Sequence, residues 1–244
     1  MSALLLARIQ ARDLLRRRLA LALLITMPLA FFLVTFSTET SDHAWSSMSG
    51  AIGLGFAVAG ASFFAMLAAR GVDPRLVLAG WRPWQLILGR LLMLYALAVV
   101  IAAAFLALMW PLWTPPNPAA LMLAVVATAL VSVPLGLAVA AVLPRELEGT
   151  LIVIVLIGIQ MSLPTASSAG PYTPLWGAQR LTEVAATGGH LTTPLLHALG
   201  WAAAVLVVAA FAWRSRLGID RAKADPAVPG PDPVPRRQRS GRSP

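Results

Sequence analysis

Six long apolar runs, separated by short polar or proline-rich stretches, set the pattern of this chain. They cover residues 19–37, 50–69, 91–110, 119–143, 150–168 and 194–213. Each is close to the roughly 20 residues that a helix needs to cross the hydrocarbon core of a bilayer. Lipid leaves the backbone no outside hydrogen-bond partner, and the alternating pattern of barrel strands is absent, so helices are the expected solution. The predicted fold class is an all-α integral membrane protein with six transmembrane helices. Pro28, Pro134 and Pro164 fall within or near the ends of these runs, where kinks are tolerated. Ordinary distortion and a hinge are both open readings there.

The connections carry the polar information. Residues 1–18 predict an amphipathic interfacial helix. Arg8, Arg12 and Arg16 share one side of it, while Ala3, Leu4, Ala7, Ala11, Leu14 and Leu15 fill the other. The run from Leu19 to Ser37 exceeds the ~7–15 apolar residues of a signal sequence, which favours an uncleaved first span. The stretch Arg70–Arg90, RGVDPRLVLAGWRPWQLILGR, predicts a structured basic connection with an Asp-Pro start and an Ala-Gly-Trp break. The turn at 111–118 is proline-rich and flanked by Trp110 and Trp113, which read as interface anchors. Arg145, Glu146 and Glu148 form a short loop before span five, either complementing a helix N-terminus or meeting a neighbour. In the outer segment 169–193, residues 176–187 predict a short helix that Gly188 and Gly189 end. From residue 219 to 244 the chain is basic and rich in proline, with too little apolar surface to fold, and reads as a disordered tail.

Composition sharpens this picture. The chain is 58% hydrophobic and 12% charged, against about 25% charged in a soluble domain. A net charge of +9 on a soluble chain would suggest nucleic acid, but here the arginines sit in connections and tails, so no nucleic-acid partner is expected. With the N-terminus inside, 18 of the 19 basic residues lie on one side and Arg180 alone lies on the other. The positive-inside rule then places both termini in the cytoplasm. Cysteine is absent, which excludes disulfides, thiolate chemistry and Cys-bound metals.

Candidate chemistry is sparse. Spans one to five contain no Asp, Glu, Lys, Arg or His, and span six contains only His197. A proton-coupled carrier usually needs an intramembrane carboxylate or histidine, so this argues against one. There is no HExxH pair and no phosphate-binding GxxxxGK[ST] loop, and Gly53-Leu54-Gly55 is a lone GxG within an apolar run. No enzymatic activity, cofactor or metal is therefore expected on this chain, and any uphill movement would draw its energy from another chain. Gly53, Ala57, Ala61, Ala65 and Ala69 form a ridge of small residues suited to close helix packing. Gln160 and Ser162 place polar groups in span five, where they either face a path or join two helices.

In this order, the elements resemble the ABC-2 type permeases, the membrane subunits of ABC exporters. The likeness rests on the leading surface helix and on residues 78–90, LAGWRPWQLILGR, between spans two and three. It also rests on the Arg-Glu-Leu-Glu-Gly loop, the Gly-Ile-Gln of span five and the semi-helical outer segment before span six. It covers residues 1 to about 218. The resemblance implies a dimer of permease subunits, homo- or heteromeric, joined to separate cytoplasmic ATPase subunits that bind ATP and magnesium. It implies that the 70–90 loop couples to the ATPase through Asp73, Arg75, Leu76, Ala79, Gly80, Trp81, Arg82 and Trp84. It further implies that Gln160 and Ser162 lie near the pathway and that the location is the bacterial cell membrane. An amphipathic small molecule, drug or lipid-like compound would be the cargo. A secondary carrier without ATP, and a membrane anchor or assembly protein, remain the alternatives.

Overall fold

The structure, a computed structural model, describes residue 8 and residues 18–38, 43–143 and 145–224. Most of the expected surface helix at 1–18 and residues 225–244 of the expected tail therefore fall outside the described residues, while residues 219–224 of that tail are helical. Among the described residues the regular structure is entirely helical. Eight α-helices follow one another: α1 (Arg18–Thr38), α2 (His43–Ala69), α3 (Asp73–Leu78), α4 (Pro83–Met109), α5 (Pro118–Val142), α6 (Glu146–Ser162), α7 (Trp176–Thr187) and α8 (Thr192–Ala224). A 3₁₀ turn at Gly170–Tyr172 precedes α7.

Four of these helices are long and apolar enough to cross a membrane: Trp45–Ala69, Pro83–Met109, Pro118–Val142 and Thr192–Ser215. Two of the six expected spans are shorter, since α1 is apolar over Ala22–Thr38 and α6 has 17 residues. The boundaries differ from the apolar runs for local reasons. Pro83 starts α4 well before the run at 91, because proline suits a first helical position and the Gln85 side chain accepts the Arg82 N–H at 3.2 Å. Helix α6 stops at Ser162, ahead of Pro164, because proline disfavours helical backbone in the residue before it. Asn117 starts α5, its side chain accepting the Ala120 N–H at 3.1 Å.

Helix α5 is the axis of the bundle, and α2 packs along it. Of its apolar stretch 83% is buried, against 17% for α8 at the periphery. Glycines allow the closest approaches. A Cβ on Gly136 of α5 would run into the Ala59 carbonyl and Ser62 of α2, and one on Gly53 of α2 would meet Pro28 of α1. The predicted small-residue ridge is used in part: Gly53, Ala57 and Ala69 are buried, while Ala61 and Ala65 are half-buried. The tightest contact with α5 lies instead on the Gly55–Ala59–Ser62 face of α2. Phe32 of α1 meets Phe105 of α4 edge-on, with ring centroids 6.0 Å apart.

The two ends of the bundle are built differently. One end gathers the termini of α2, α5 and α8 with the starts of α4 and α6, and holds Arg70, Asp73, Arg90 and Arg145. There Arg70 donates to the carbonyls of Ala140 and Leu143, which end α5. The opposite end is covered by the segment 163–187. Helix α7 spans the predicted residues 176–187, and Gly188 and Gly189 follow it with φ of +80° and +133°.

Candidate functional site

The basic end holds the most unusual polar grouping among the described residues. Asp73 opens α3 with Pro74 behind it, a helix-start pairing, yet its carboxylate points inward and is buried. Arg90 Nη2 donates to both of its oxygens, at 2.9 and 3.1 Å. Trp213 Nε1 donates to Oδ2 at 3.1 Å. Arg90 Nη1 also lies 3.2 Å from Met66 Sδ. The two charged side chains keep only 2% and 4% of their surface exposed. Burying both charges carries a desolvation penalty of several kcal/mol per ion, which only close pairing and added hydrogen bonds offset. Here the double contact of Arg90 and the indole N–H of Trp213 satisfy both carboxylate oxygens.

This pairing anchors the inner side of α3. After α3 the chain reverses at Gly80, whose φ of +92° an L-side chain rarely adopts. The Trp81 N–H returns to the Leu76 carbonyl at 3.0 Å, and the Trp81 side chain is buried. Asp73 and Trp81 of the expected coupling residues thus face inward, and Leu76 is half-buried. Arg75, Ala79, Gly80, Arg82 and Trp84 are exposed. Leu78, outside the expected set, is 75% exposed, and Trp84 is 56% exposed. The exposed surface therefore combines two guanidinium groups, an indole and a leucine around a fixed turn. At the same end Arg145 and Glu148 pair at 2.8 Å on the exposed first turn of α6, with Glu146 beside them. Both carboxylates lie in the first turn of this helix, where negative charge complements the N-terminus.

Arg90 was expected in a connection and lies instead within α4. A signal was present in its register: Leu86, Arg90, Met93, Leu94 and Leu97 share one face of a helix and are all buried. The pairings with Asp73 and Trp213 are long-range and leave no such trace.

At the opposite end Gln160 is a junction. Its Oε1 accepts the Leu175 N–H at 2.6 Å, and its carbonyl accepts from Gln179 Nε2 at 2.8 Å. Its own Nε2 donates to the Leu156 carbonyl at 2.8 Å. It joins α6 to the segment before α7, whereas Ser162 is exposed and donates to the Gly158 carbonyl at 3.2 Å. Thr165 and Arg180 both donate to Glu183 Oε2, at 2.7 and 2.6 Å. His197 meets the Pro171 carbonyl at 2.7 Å and stands edge-on to Trp176. These groups are spent on holding the cap, and no cluster of three or more metal-ligating side chains occurs among the described residues. In comparisons with known proteins, no family model and no curated sequence matches the chain.

Proposed function

We propose that this chain is the membrane subunit of an ATP-driven ABC-2 type exporter in the bacterial cell membrane. In this reading α1 and α6 make the two shorter of six crossings, and both termini lie in the cytoplasm with 18 of the 19 basic residues. The observation that carries the proposal is the contrast within α3 and its turn. The inner side is anchored by a buried ion pair, while Arg75, Leu78, Arg82 and Trp84 are presented outward. A rigid, basic and apolar knob is what a separate ATPase needs in order to push or pull. ATP can drive the change only by binding one conformation of the complex more tightly than another. The apolar character of the spans supports an amphipathic or lipid-like cargo. A second permease subunit, of the same or a different sequence, completes the transporter.

The test is co-expression with the ABC ATPase expected beside its gene. The variant Arg75→Glu/Leu78→Asp alters only exposed side chains. It should fold and reach the membrane like the parent chain, yet lose co-purification of the ATPase and stimulation of its ATP turnover. Unchanged co-purification and turnover would refute the docking role of this surface.

A further inference from the structure

Three helices converge on one carboxylate. Asp73 belongs to α3, Arg90 to α4 and Trp213 to α8, and both donors reach Asp73 within 3.1 Å. The links of α3 to its neighbours are short hydrogen-bonded turns, with the Val72 N–H donating to the Ala69 carbonyl and the Trp81 N–H to the Leu76 carbonyl, both at 3.0 Å. Between α2 and α3, Gly71 and Val72 are exposed, and the position where Gly71 would carry a side chain is open space. Between α3 and α4, Gly80 is likewise unpacked on that side.

Helix α8 packs along α5 and α7 but turns most of its apolar surface outward. Only 17% of its apolar stretch is buried. Val205, Ala209 and Trp213 form its buried stripe at four-residue spacing, while Val207, Val208 and Phe211 are exposed. At its basic end this stripe finishes on the indole that bonds Asp73. Moving the basic end of a helix buried on this stripe disturbs less of the core than moving α5, which is 83% buried.

We propose that Asp73 and Trp213 are positioning residues that make α3 and the basic end of α8 move as one unit. A displacement of α3 then reaches α8 directly, through the same cluster in which Arg90 of α4 and Met66 of α2 meet. What displaces α3 rests on the exporter reading above; the clamp stands without it.

The experiment uses the full chain alone in lipid nanodiscs, so it is independent of any ATPase. The chain has no cysteine, so Leu78→Cys with Ser215→Cys gives a unique pair of spin-label sites. In the parent the label-to-label distance distribution should be narrow. Trp213→Phe, which keeps an aromatic ring and removes the N–H, should broaden it. The same change should speed hydrogen exchange at the Ala79, Gly80 and Trp81 amides about tenfold and leave residues 120–141 unchanged. A distribution as narrow as the parent's would overturn the proposal. Exchange that rises equally at 120–141 would overturn it too, since that marks general loss of stability rather than a released clamp. Failure of the exporter reading would appear separately, as no ATPase bound by a chain whose clamp is intact.

Discussion

Gly136→Ala tests whether the contact of α2 with α5 holds the bundle together. An added Cβ would lie 2.8 Å from Ser62 Cβ and 2.9 Å from the Ala59 carbonyl carbon, and closer still to the Ala59 oxygen. Two of these three neighbours are main-chain atoms, which cannot rotate aside, so the helices must part. Overpacking a tight core costs about 1–3 kcal/mol. A clash with main chain in the most buried helix puts this one at the upper end, about 3 kcal/mol. Alanine returns up to ~1 kcal/mol through its higher helix propensity, leaving a net loss of about 2 kcal/mol. That is a shift of roughly 30-fold in the folded-to-unfolded ratio. Gly60→Ala is the control, because nothing lies within 4 Å of its added carbon. It should be neutral or stabilising by up to ~1 kcal/mol. Reversible unfolding in mixed micelles, followed by tryptophan fluorescence, measures both. Equal stabilities for the two variants would refute the packing argument.

Two further outcomes follow from the polar contacts. Asp73→Ala leaves Arg90 charged and buried, and should destabilise the chain by about 3–5 kcal/mol, whereas Asp73→Leu/Arg90→Met should recover most of that loss in the same unfolding assay. Gln160→Leu strips the Leu175 N–H of its acceptor, worth about 1–3 kcal/mol locally, so limited proteolysis should cut faster within 163–175 while α5 stays protected.

Much of the architecture was legible in the sequence where the cause is local. The helix at 176–187 is ended by Gly188 and Gly189, and proline sets the starts of α3, α4 and α5. The limits of the apolar runs were poorer guides. A hydropathy run breaks at a charge, so Arg90 read as the edge of a loop, although its helix begins at Pro83 and its side chain is buried. The run at 150–168 continued through small and apolar residues past the point where Pro164 ends the helix. At the candidate site the exposed half of the basic connection was legible in Arg75, Arg82 and Trp84. The inward half was not. Asp73 read as a helix start and as one of the coupling residues, and its inward pairing left no local sign, because its partners lie 17 and 140 residues away. Gln160 was marked as polar within an apolar run, but its binding to the Leu175 N–H depends on a chain reversal that no local pattern encodes.

Arg70 has a consequence for how the molecule can change shape. Its guanidinium, at the end of α2, takes the last carbonyls of α5, which would otherwise be left without donors. Sliding α2 by one turn, about 5.4 Å, would withdraw that cation and drive side chains into the notch at Gly136. The two helices are therefore pinned at the tip and keyed again at Gly136, within the last two turns of α5, a fixed mast. A rearrangement that keeps these contacts moves the outer helices around α2 and α5.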